Sequence, residues 1–197
     1  MNLPNKLTLS RFVLTLAFLV VMFFPVRFHV SFALLFFSAA GISDFLDGQI
    51  ARRRKLITNF GILMDPLADK IMVCSAFIAF VDLKWMPAWM VIIIVARELA
   101  ITGLRLLAAT KNVVLAAERF GKHKTISQIV CIIAILVQHS FREWGPVGPA
   151  IFGFHVIWDM PWVVWFAALS KWVAVVLTFI SGWIYLWKNR GLYLSDL

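Results

Sequence analysis

Six apolar stretches dominate this chain, and each is long enough, or nearly so, to cross a lipid bilayer. A helix needs roughly 20 apolar residues to span about 30 Å of hydrocarbon. The stretches cover approximately residues 8–27, 31–54, 61–82, 86–109, 124–141 and 162–187. Hydrophobic residues make up 62% of the 197 positions, which is more than a soluble domain of this size can bury. The sequence therefore predicts an all-α integral membrane protein, a six-transmembrane-helix bundle that forms one domain over residues 1–197.

The remaining apolar segment, residues 142–161, is interrupted by several glycines and prolines. It is too short between these breaks to make a regular span. We expect an irregular segment that lies on the membrane surface, rather than a seventh transmembrane helix.

The distribution of lysine and arginine predicts how the bundle is oriented. With a cytosolic N-terminus, the inner segments hold eleven basic residues and the outer segments hold three. The inner residues are Lys6, Arg52, Arg53, Arg54, Lys55, Lys111, Arg119, Lys122, Lys124, Lys188 and Arg190, and the outer ones are Arg27, Lys84 and Arg142. Because basic residues gather on cytoplasmic loops, both termini are expected in the cytosol. The formal net charge of +9 then reflects topology and anionic lipid or phosphorylated substrates, and no nucleic-acid partner is expected.

Four aspartates lie near the cytosolic ends of the second and third stretches. They are Asp44, Asp47, Asp65 and Asp69. Counted from Arg52 and Gly61, the two pairs lie at matching depths of roughly 6 and 12 Å, at about 1.5 Å per helical residue. The spacings i,i+3 and i,i+4 place each pair on one face of its helix. The sequence therefore predicts that the four carboxylates converge on one point.

Carboxylates gathered this closely need compensation, since ionised groups are costly within a membrane. Either protons or divalent cations can provide it, and a site made only of oxygen ligands favours Mg²⁺ or Mn²⁺. Salt bridges to Arg52, Arg53 and Arg54 are the structural alternative, which explains one pair of aspartates more easily than four. Gly48 and Ala51 leave a shallow helix face on which a bulky ligand can lie, although small residues also serve helix packing.

The aspartates belong to the pattern D-x2-D-G-x2-A-R-x8-G-x3-D-x3-D. Its fixed positions are Asp44, Asp47, Gly48, Ala51, Arg52, Gly61, Asp65 and Asp69. This pattern resembles, without departure, the signature of the CDP-alcohol phosphatidyltransferases. The segments "NLPNKLTLSR", "MDPLADK", "ARE" and "GKHKT" look like the bacterial branch of that family whose acceptor is sn-glycerol 3-phosphate. The matches cover the first two-thirds of the chain.

The resemblance implies a six-helix fold, usually a homodimer, in the bacterial inner membrane with an active site open to the cytosol. It implies transfer of a phosphatidyl group from CDP-diacylglycerol to glycerol 3-phosphate, with release of CMP and the help of two Mg²⁺ or Mn²⁺ ions. Asp69 is then the expected base that accepts the proton of the attacking hydroxyl. The expected metal ligands are Asp44, Asp47, Asp65 and Asp69, and the expected nucleotide-binding residues are Asp44, Asp47, Gly48, Ala51, Arg52 and Gly61.

Basic residues on the same side of the membrane are candidates for binding the acceptor phosphate. They are Arg97, Arg105, Lys122 and Lys124. Arginine can grip a phosphate with two hydrogen bonds, whereas lysine offers a point charge. Signals for membrane topology are the alternative reading of these residues. Arg97 lies inside a predicted membrane helix and therefore needs a partner. Glu98 is expected to point to another part of the helix. The expected partner of Arg97 is therefore a phosphate or one of the aspartates.

The acceptor is less constrained than the reaction. A basic site argues against the cations choline and ethanolamine. Inositol phosphate, or phosphatidylglycerol as in a cardiolipin synthase-like reaction, remains compatible with the charges. Only the resemblance of "ARE" and "GKHKT" favours glycerol 3-phosphate.

A cation or proton transporter is the rival class of protein, since carboxylates inside membranes often mark ion pathways. The aspartates are predicted at one depth near one face, and no stretch has an acidic break at its middle. These features favour an enzyme.

Overall fold

The computed structural model describes most of the backbone and fewer of the side chains. The backbone is described for residues 3–24, 26–54, 59–111, 113, 120–157 and 159–194. Within these ranges, the side chains of residues 3–7, 45–54, 59–63, 65, 120–122, 156–157 and 194 lie outside the description.

The described ranges form a helical bundle with one small β-ladder. The helices are α1 (Leu3–Phe23), α2 (His29–Arg54), α3 (Asn59–Asp82), α4 (Ala88–Thr110), α5 (Phe120–Ser140), α6 (Val147–Phe152), α7 (Trp162–Lys188) and α8 (Arg190–Leu194). Helix α1 packs against α2 and α3, α5 packs against α7 and α2, and α4 packs against α3 and α7. Phe18, Phe37, Phe77 and Ile132 are buried where α1, α2, α3 and α5 meet.

Each predicted apolar stretch coincides with one of the six longer helices, and the largest difference is at the first. Helix α1 begins at Leu3 and ends at Phe23, whereas the sequence predicted residues 8–27. Pro25 disfavours a helical conformation in the residue before it, which accounts for the earlier end. The all-α class is confirmed, with the ladder as its exception.

The segment 142–161 is more ordered than expected. It contains most of a 3-10 helix (Phe141–Trp144), then α6, and then two antiparallel strands, β1 (His155–Ile157) and β2 (Met160–Pro161). The glycines and prolines that break a long helix therefore separate short elements instead of leaving an irregular segment.

The outer surface of the bundle is apolar, as expected for a membrane protein. On α7, the side chains of Leu169 and Trp183 are 62% and 60% exposed. By length and composition, His123–Trp144 and Trp162–Lys188 can each cross a membrane, whereas Thr8–Phe23 and His29–Asp44 are apolar but shorter. An extended apolar exterior is unusual for a soluble monomer and is suited to contact with lipid.

The turn from α3 to α4 is fixed by a Schellman motif. Lys84 has a positive φ of 60°, and its N–H donates to the carbonyl of Val81 at 3.0 Å. The N–H of Trp85 donates to the carbonyl of Phe80 at 2.8 Å, and the two rings lie 5.6 Å apart. The other face of Trp85 stacks on His139 of α5, with ring centroids 3.8 Å apart. The end of the bundle opposite Asp44 is therefore held by contacts among α3, α4 and α5.

Glu143 ties the start of α2 to the same opposite end. Its Oε2 accepts hydrogen bonds from the backbone N–H of Ser31 at 3.0 Å and from the Ser31 hydroxyl at 2.5 Å. The indole of Trp144 donates to the same hydroxyl oxygen at 2.8 Å. Because the first N–H groups of a helix lack partners within it, a carboxylate here satisfies one of them and interacts favourably with the helix dipole. This contact helps to fix the helix that carries Asp44.

Replacing Glu143 by alanine should lower stability, because the N–H of Ser31 loses a charged acceptor. We expect a loss of about 2 kcal/mol, within the usual range for hydrogen bonds to charged groups. Thermal unfolding of the detergent-purified protein measures it. The control is Asp82→Ala, which removes an exposed carboxylate near the same end and should change stability by less than about 0.5 kcal/mol. Equal unfolding temperatures for Glu143→Ala and the unmodified protein would contradict this role.

Candidate active site

A buried arginine of α1 joins the carboxylates of α2 and α3. The Nη2 of Arg11 lies 2.7 Å from Oδ1 of Asp44, and its Nη1 donates to Oδ1 of Asp69 at 2.6 Å. The two aspartates therefore meet at one guanidinium group, although they lie on different helices. We call Arg11, Asp44 and Asp69 the acidic cluster, and the end of the bundle that carries it the acidic end.

The acidic cluster is buried on one side and open on the other. The side chain of Arg11 is fully buried, whereas those of Asp44 and Asp69 are 45% and 46% exposed. Thr8 and Thr15, one turn before and after Arg11, are also buried, and the Thr15 hydroxyl donates to the Arg11 carbonyl at 2.8 Å. Two carboxylates against one guanidinium leave a formal charge of −1, with the carboxylates facing outward.

Several predicted site residues have side chains outside the described part of the chain. They are Asp47, Gly48, Ala51, Arg52, Gly61, Asp65 and Lys122, together with Arg53 and Arg54 of the alternative reading. Their roles stay predictions. The helical backbone of α2 and α3 does run through the positions of the motif up to residue 54 and from residue 59.

Arg11 was missed by the sequence reasoning, although a signal was present. The structural alternative considered only Arg52, Arg53 and Arg54 as partners of the aspartates. Arg11 lies within the first apolar stretch, whose other basic residue, Arg27, is its last residue, and an arginine inside a membrane helix needs a partner. The partner could not be named from the sequence, because it depends on which face of α1 packs against α2 and α3.

A cavity of about 190 Å³ adjoins the acidic cluster on the side of α4 and α5. Asp69 belongs to both, since it contacts Arg11 and also lines the cavity. The other lining residues are Pro66, Lys70, Val73 and Cys74 of α3, Glu98 of α4, and Lys124, Thr125 and Gln128 of α5. The cavity thus places two lysines near one carboxylate of the acidic cluster.

Glu98 is the centre of a second buried group of charges. Its Oε1 accepts a hydrogen bond from Nζ of Lys124 and lies 3.4 Å from Nη1 of Arg97. The side chains of all three are at most 13% exposed. The expectation that Glu98 points away from Arg97 is therefore wrong, because two long side chains that are adjacent in sequence can bend towards each other. Among the described residues, Glu98 is the acidic partner that Arg97 needs.

Lys70 lines the cavity, although the sequence analysis did not select it as a site residue. Its Nζ donates to the hydroxyl of Thr102 on α4, and that hydroxyl donates to the backbone carbonyl of Glu98 at 2.7 Å. Unlike Lys124, Lys70 makes no ion pair with any residue whose side chain is described. Its charge is therefore less compensated within the part of the protein that can be seen.

Arg97 and Arg105 lie on the face of α4 that packs against α7. The backbone of α7 approaches Arg97 closely, since a Cβ at Gly182 would lie 2.8 Å from the Arg97 Cγ. The guanidinium carbon of Arg105 is 5.9 Å from the ring centroid of Tyr185 on α7. Neither arginine lines the cavity beside Asp69. Of the four predicted acceptor-binding residues, Lys124 alone is seen at that cavity in the described part of the structure.

The chemistry of the acidic end suits a hard divalent cation. Asp44 and Asp69 present half-exposed carboxylates with an excess of negative charge, and oxygen ligands are those that Mg²⁺ prefers. Among the described side chains, no group of three or more histidines, cysteines, aspartates or glutamates is close enough to hold a metal ion. Asp47 and Asp65, the other two predicted ligands, are outside that set.

The fold and the site together define a membrane protein with an acidic centre beside a cavity lined by lysines. The family model described as CDP-alcohol phosphatidyltransferase matches residues 1–180. The chain therefore belongs to the CDP-alcohol phosphatidyltransferase family and is an enzyme of that type.

Curated bacterial relatives resemble the chain over nearly its full length. A protein of Bacillus subtilis (strain 168) is 40% identical over 95% of both chains. A protein of Cereibacter sphaeroides is 30% identical over 99% of this chain and 98% of its own, and one of Rickettsia typhi is 29% identical over 93% and 94%. All three are named CDP-diacylglycerol–glycerol-3-phosphate 3-phosphatidyltransferase.

Replacing Glu98 by glutamine should destabilise the protein more than replacing Glu98 and Lys124 together. The single change leaves buried cations without their carboxylate, at a cost of about 3 kcal/mol. The double variant Glu98→Gln with Lys124→Met removes one of those cations and should recover part of the loss. Thermal unfolding of the single variants and the double variant measures the coupling. Additive losses would show that Glu98 and Lys124 do not interact.

Proposed function

We propose that this protein transfers the phosphatidyl group of CDP-diacylglycerol to sn-glycerol 3-phosphate, giving phosphatidylglycerophosphate and CMP. The family supplies the reaction class, and the names of the bacterial relatives support this donor and acceptor. Membership of an enzyme family also removes the main reason for considering a transporter.

The main support for the proposal is that Asp69 belongs both to the acidic cluster and to the wall of the adjoining cavity. It contacts Arg11 in the acidic cluster, and it lines the cavity that also contains Lys70 and Lys124. An acceptor whose phosphate lies near the two lysines can direct its hydroxyl towards Asp69. One small molecule can therefore connect the cations of the cavity with the reacting centre.

The size of the cavity favours a small acceptor over a second lipid. Its volume of about 190 Å³ is below the roughly 300–1,000 Å³ of ordinary ligand pockets. Glycerol 3-phosphate is a compact anion, whereas phosphatidylglycerol brings two acyl chains. Inositol phosphate is compatible in charge but bulkier, so we place it second.

The proposed step is an attack by the acceptor hydroxyl on the phosphorus that carries the diacylglycerol. The new P–O bond forms while the bond from that phosphorus to the oxygen of CMP breaks, and the hydroxyl proton passes to Asp69. Most of the acceleration in such phosphoryl transfers comes from positioning and electrostatic stabilisation. Lys70 and Lys124 would orient the acceptor, and the walls of the cavity would limit access of water.

Divalent cations, held by Asp44, Asp47, Asp65 and Asp69, would neutralise the diphosphate and the charge that develops on the departing CMP. Gly48, Ala51, Arg52 and Gly61 remain the proposed nucleotide contacts, on the strength of the sequence motif. We propose that two such ions take part and that they are Mg²⁺ or Mn²⁺.

The structure changes which basic residues we propose for the acceptor. Lys124 stays, and Lys70 joins it because its side chain lines the same cavity. Lys122 also stays, as a proposal from the sequence alone, since its side chain lies outside the described residues. Arg97 and Arg105 are left out, because their side chains lie towards Gly182 and Tyr185 of α7.

We further propose that six helices span the bacterial inner membrane and that the protein forms homodimers. The excess of basic residues on one side favours cytosolic termini and a cytosolic acidic end. Such an orientation gives the water-soluble acceptor access to the site from the cytosol, while the donor remains in the lipid.

A panel of acceptors tests the proposed reaction. Detergent-purified protein with CDP-diacylglycerol and Mg²⁺ or Mn²⁺ should release CMP when glycerol 3-phosphate is added. Release should be lost with EDTA and should be at least tenfold slower with inositol phosphate or phosphatidylglycerol, because the site is small and basic. Faster release with either alternative would reassign the acceptor, and ion flux in liposomes without CMP release would favour a transporter.

Replacing Asp69 by asparagine should reduce CMP release at least about 100-fold, the usual contribution of a positioned general base. Binding of CDP should survive in part, because the fold and the other aspartates remain. The matched control is Asp82→Asn, which changes an exposed carboxylate at the far end of the same helix. Undiminished turnover in Asp69→Asn would remove its role as base.

Replacing Lys70 by methionine should raise the KM for glycerol 3-phosphate about tenfold, because a charged hydrogen bond to the phosphate is lost. The KM for CDP-diacylglycerol should change little. Arg105→Ala is the comparison outside the cavity, and it should affect the acceptor KM less than Lys70→Met. The reverse order would return Arg105 to the acceptor site and exclude Lys70 from it.

A further inference from the structure

Arg11 is a permanent positive charge at the place where cations are expected to bind. Its guanidinium is fully buried and contacts one oxygen of Asp44 and one of Asp69. Arginine stays charged at every pH a protein experiences. The proposed transfer step uses neither its charge nor its hydrogen bonds, so the presence of Arg11 needs its own explanation.

Two electrostatic effects act on this cluster. The guanidinium attracts both carboxylates and so reduces their mutual repulsion before any substrate binds. It also repels any divalent cation that approaches the same carboxylates, and this repulsion is strong because little water lies around a fully buried group. Arg11 therefore stabilises the cluster and lowers its affinity for cations.

We propose that Arg11 is a resident counter-ion, which keeps the affinity of the acidic cluster for free divalent cations low until a nucleotide diphosphate binds. The diphosphate adds the negative charge that lets cations stay beside the guanidinium. Cation binding and nucleotide binding are then coupled, and each tightens the other by the same factor. This inference rests on the proposed function, since it needs the cation and the nucleotide to share one site.

The geometry of the contact explains why the residue is arginine. One terminal nitrogen of the guanidinium donates a hydrogen bond to Asp69 of α3, and the other forms an ion pair with Asp44 of α2. A lysine ammonium is a single point charge and does not provide the same planar fork. A lysine at this position should therefore keep the charge effect but hold the two helices less well.

Direct Mn²⁺ binding, measured by electron paramagnetic resonance without nucleotide, tests the charge effect. Arg11→Gln should bind Mn²⁺ at least tenfold more tightly than the unmodified protein, because the repelling charge is gone. Arg11→Lys should stay within about threefold of the unmodified protein, because it retains the charge. Arg142→Gln, the same change at an exposed position of the opposite end, should have no effect. Unchanged or weaker binding in Arg11→Gln would overturn the inference.

Thermal unfolding in EDTA tests the stabilising effect. Arg11→Gln should unfold at a lower temperature than the unmodified protein, and Mn²⁺ should raise its unfolding temperature more. The double variant Arg11→Gln with Asp44→Asn should recover part of the loss, since it removes one of the two repelling charges. Without such recovery, Arg11 would be a packing residue and the proposed charge balance would fail.

The coupling can be tested without any substitution. In the unmodified protein, saturating CDP should tighten Mn²⁺ binding at least tenfold. Equal affinity with and without CDP would overturn the inference even if the Arg11 variants do not fold. CMP release from CDP-diacylglycerol with glycerol 3-phosphate would still support the proposed function in that case, so the two failures are distinguishable.

Discussion

The salt bridges of Arg11 to Asp44 and Asp69 determine the arrangement of the acidic end. A fully buried guanidinium is tolerated only where carboxylates compensate it, so α1 must present this face to α2 and α3. The contact joins three helices through one side chain and keeps two carboxylates together despite their repulsion. At the opposite end, Glu143 binds the first turn of α2. The helix that carries Asp44 is thus held by polar contacts at its first turn and at Asp44, while apolar side chains pack between them.

The charged side chains on and around α4 lie towards two different neighbours of that helix. Glu98 and Lys124 lie at the cavity beside Asp69, whereas Arg97 and Arg105 lie towards α7. In a low-dielectric interior, each of these cations needs a nearby carboxylate or aromatic ring. The available partners, and not the sequence spacing of the cations, therefore decide which basic groups reach the cavity. Lys70, Lys124 and Asp69 line that cavity, where the proposed reaction places the acceptor phosphate.

The sequence predicted the positions of the longer helices well, but it predicted poorly which side of each helix faces its neighbours. Bilayer thickness sets the length of an apolar stretch, so the six longer helices could be placed to within a few residues. In a membrane, however, the side facing lipid and the side facing the core are both apolar, and periodicity does not show how a helix is rotated. Arg11 was missed for that reason. Lys70, which directly follows Asp69 in the sequence, was not selected. Glu98 was wrongly predicted to point away from Arg97, because the flexibility of the two long side chains was not considered.

The amino-acid sequence alone determined the membrane class and the family, and it predicted matching depths for the aspartates on α2 and α3. These follow from local quantities: hydrophobic length, residue spacing and the rise of a helix. Only the tertiary structure decided that Arg11 compensates two of those aspartates and that Lys70 shares a cavity with Lys124. Contacts of this kind depend on the rotation and packing of α1, α3, α4 and α5 against one another. That rotation places the buried charges of Arg11 and Glu98 next to oppositely charged partners, which depends on several helices of the bundle at once.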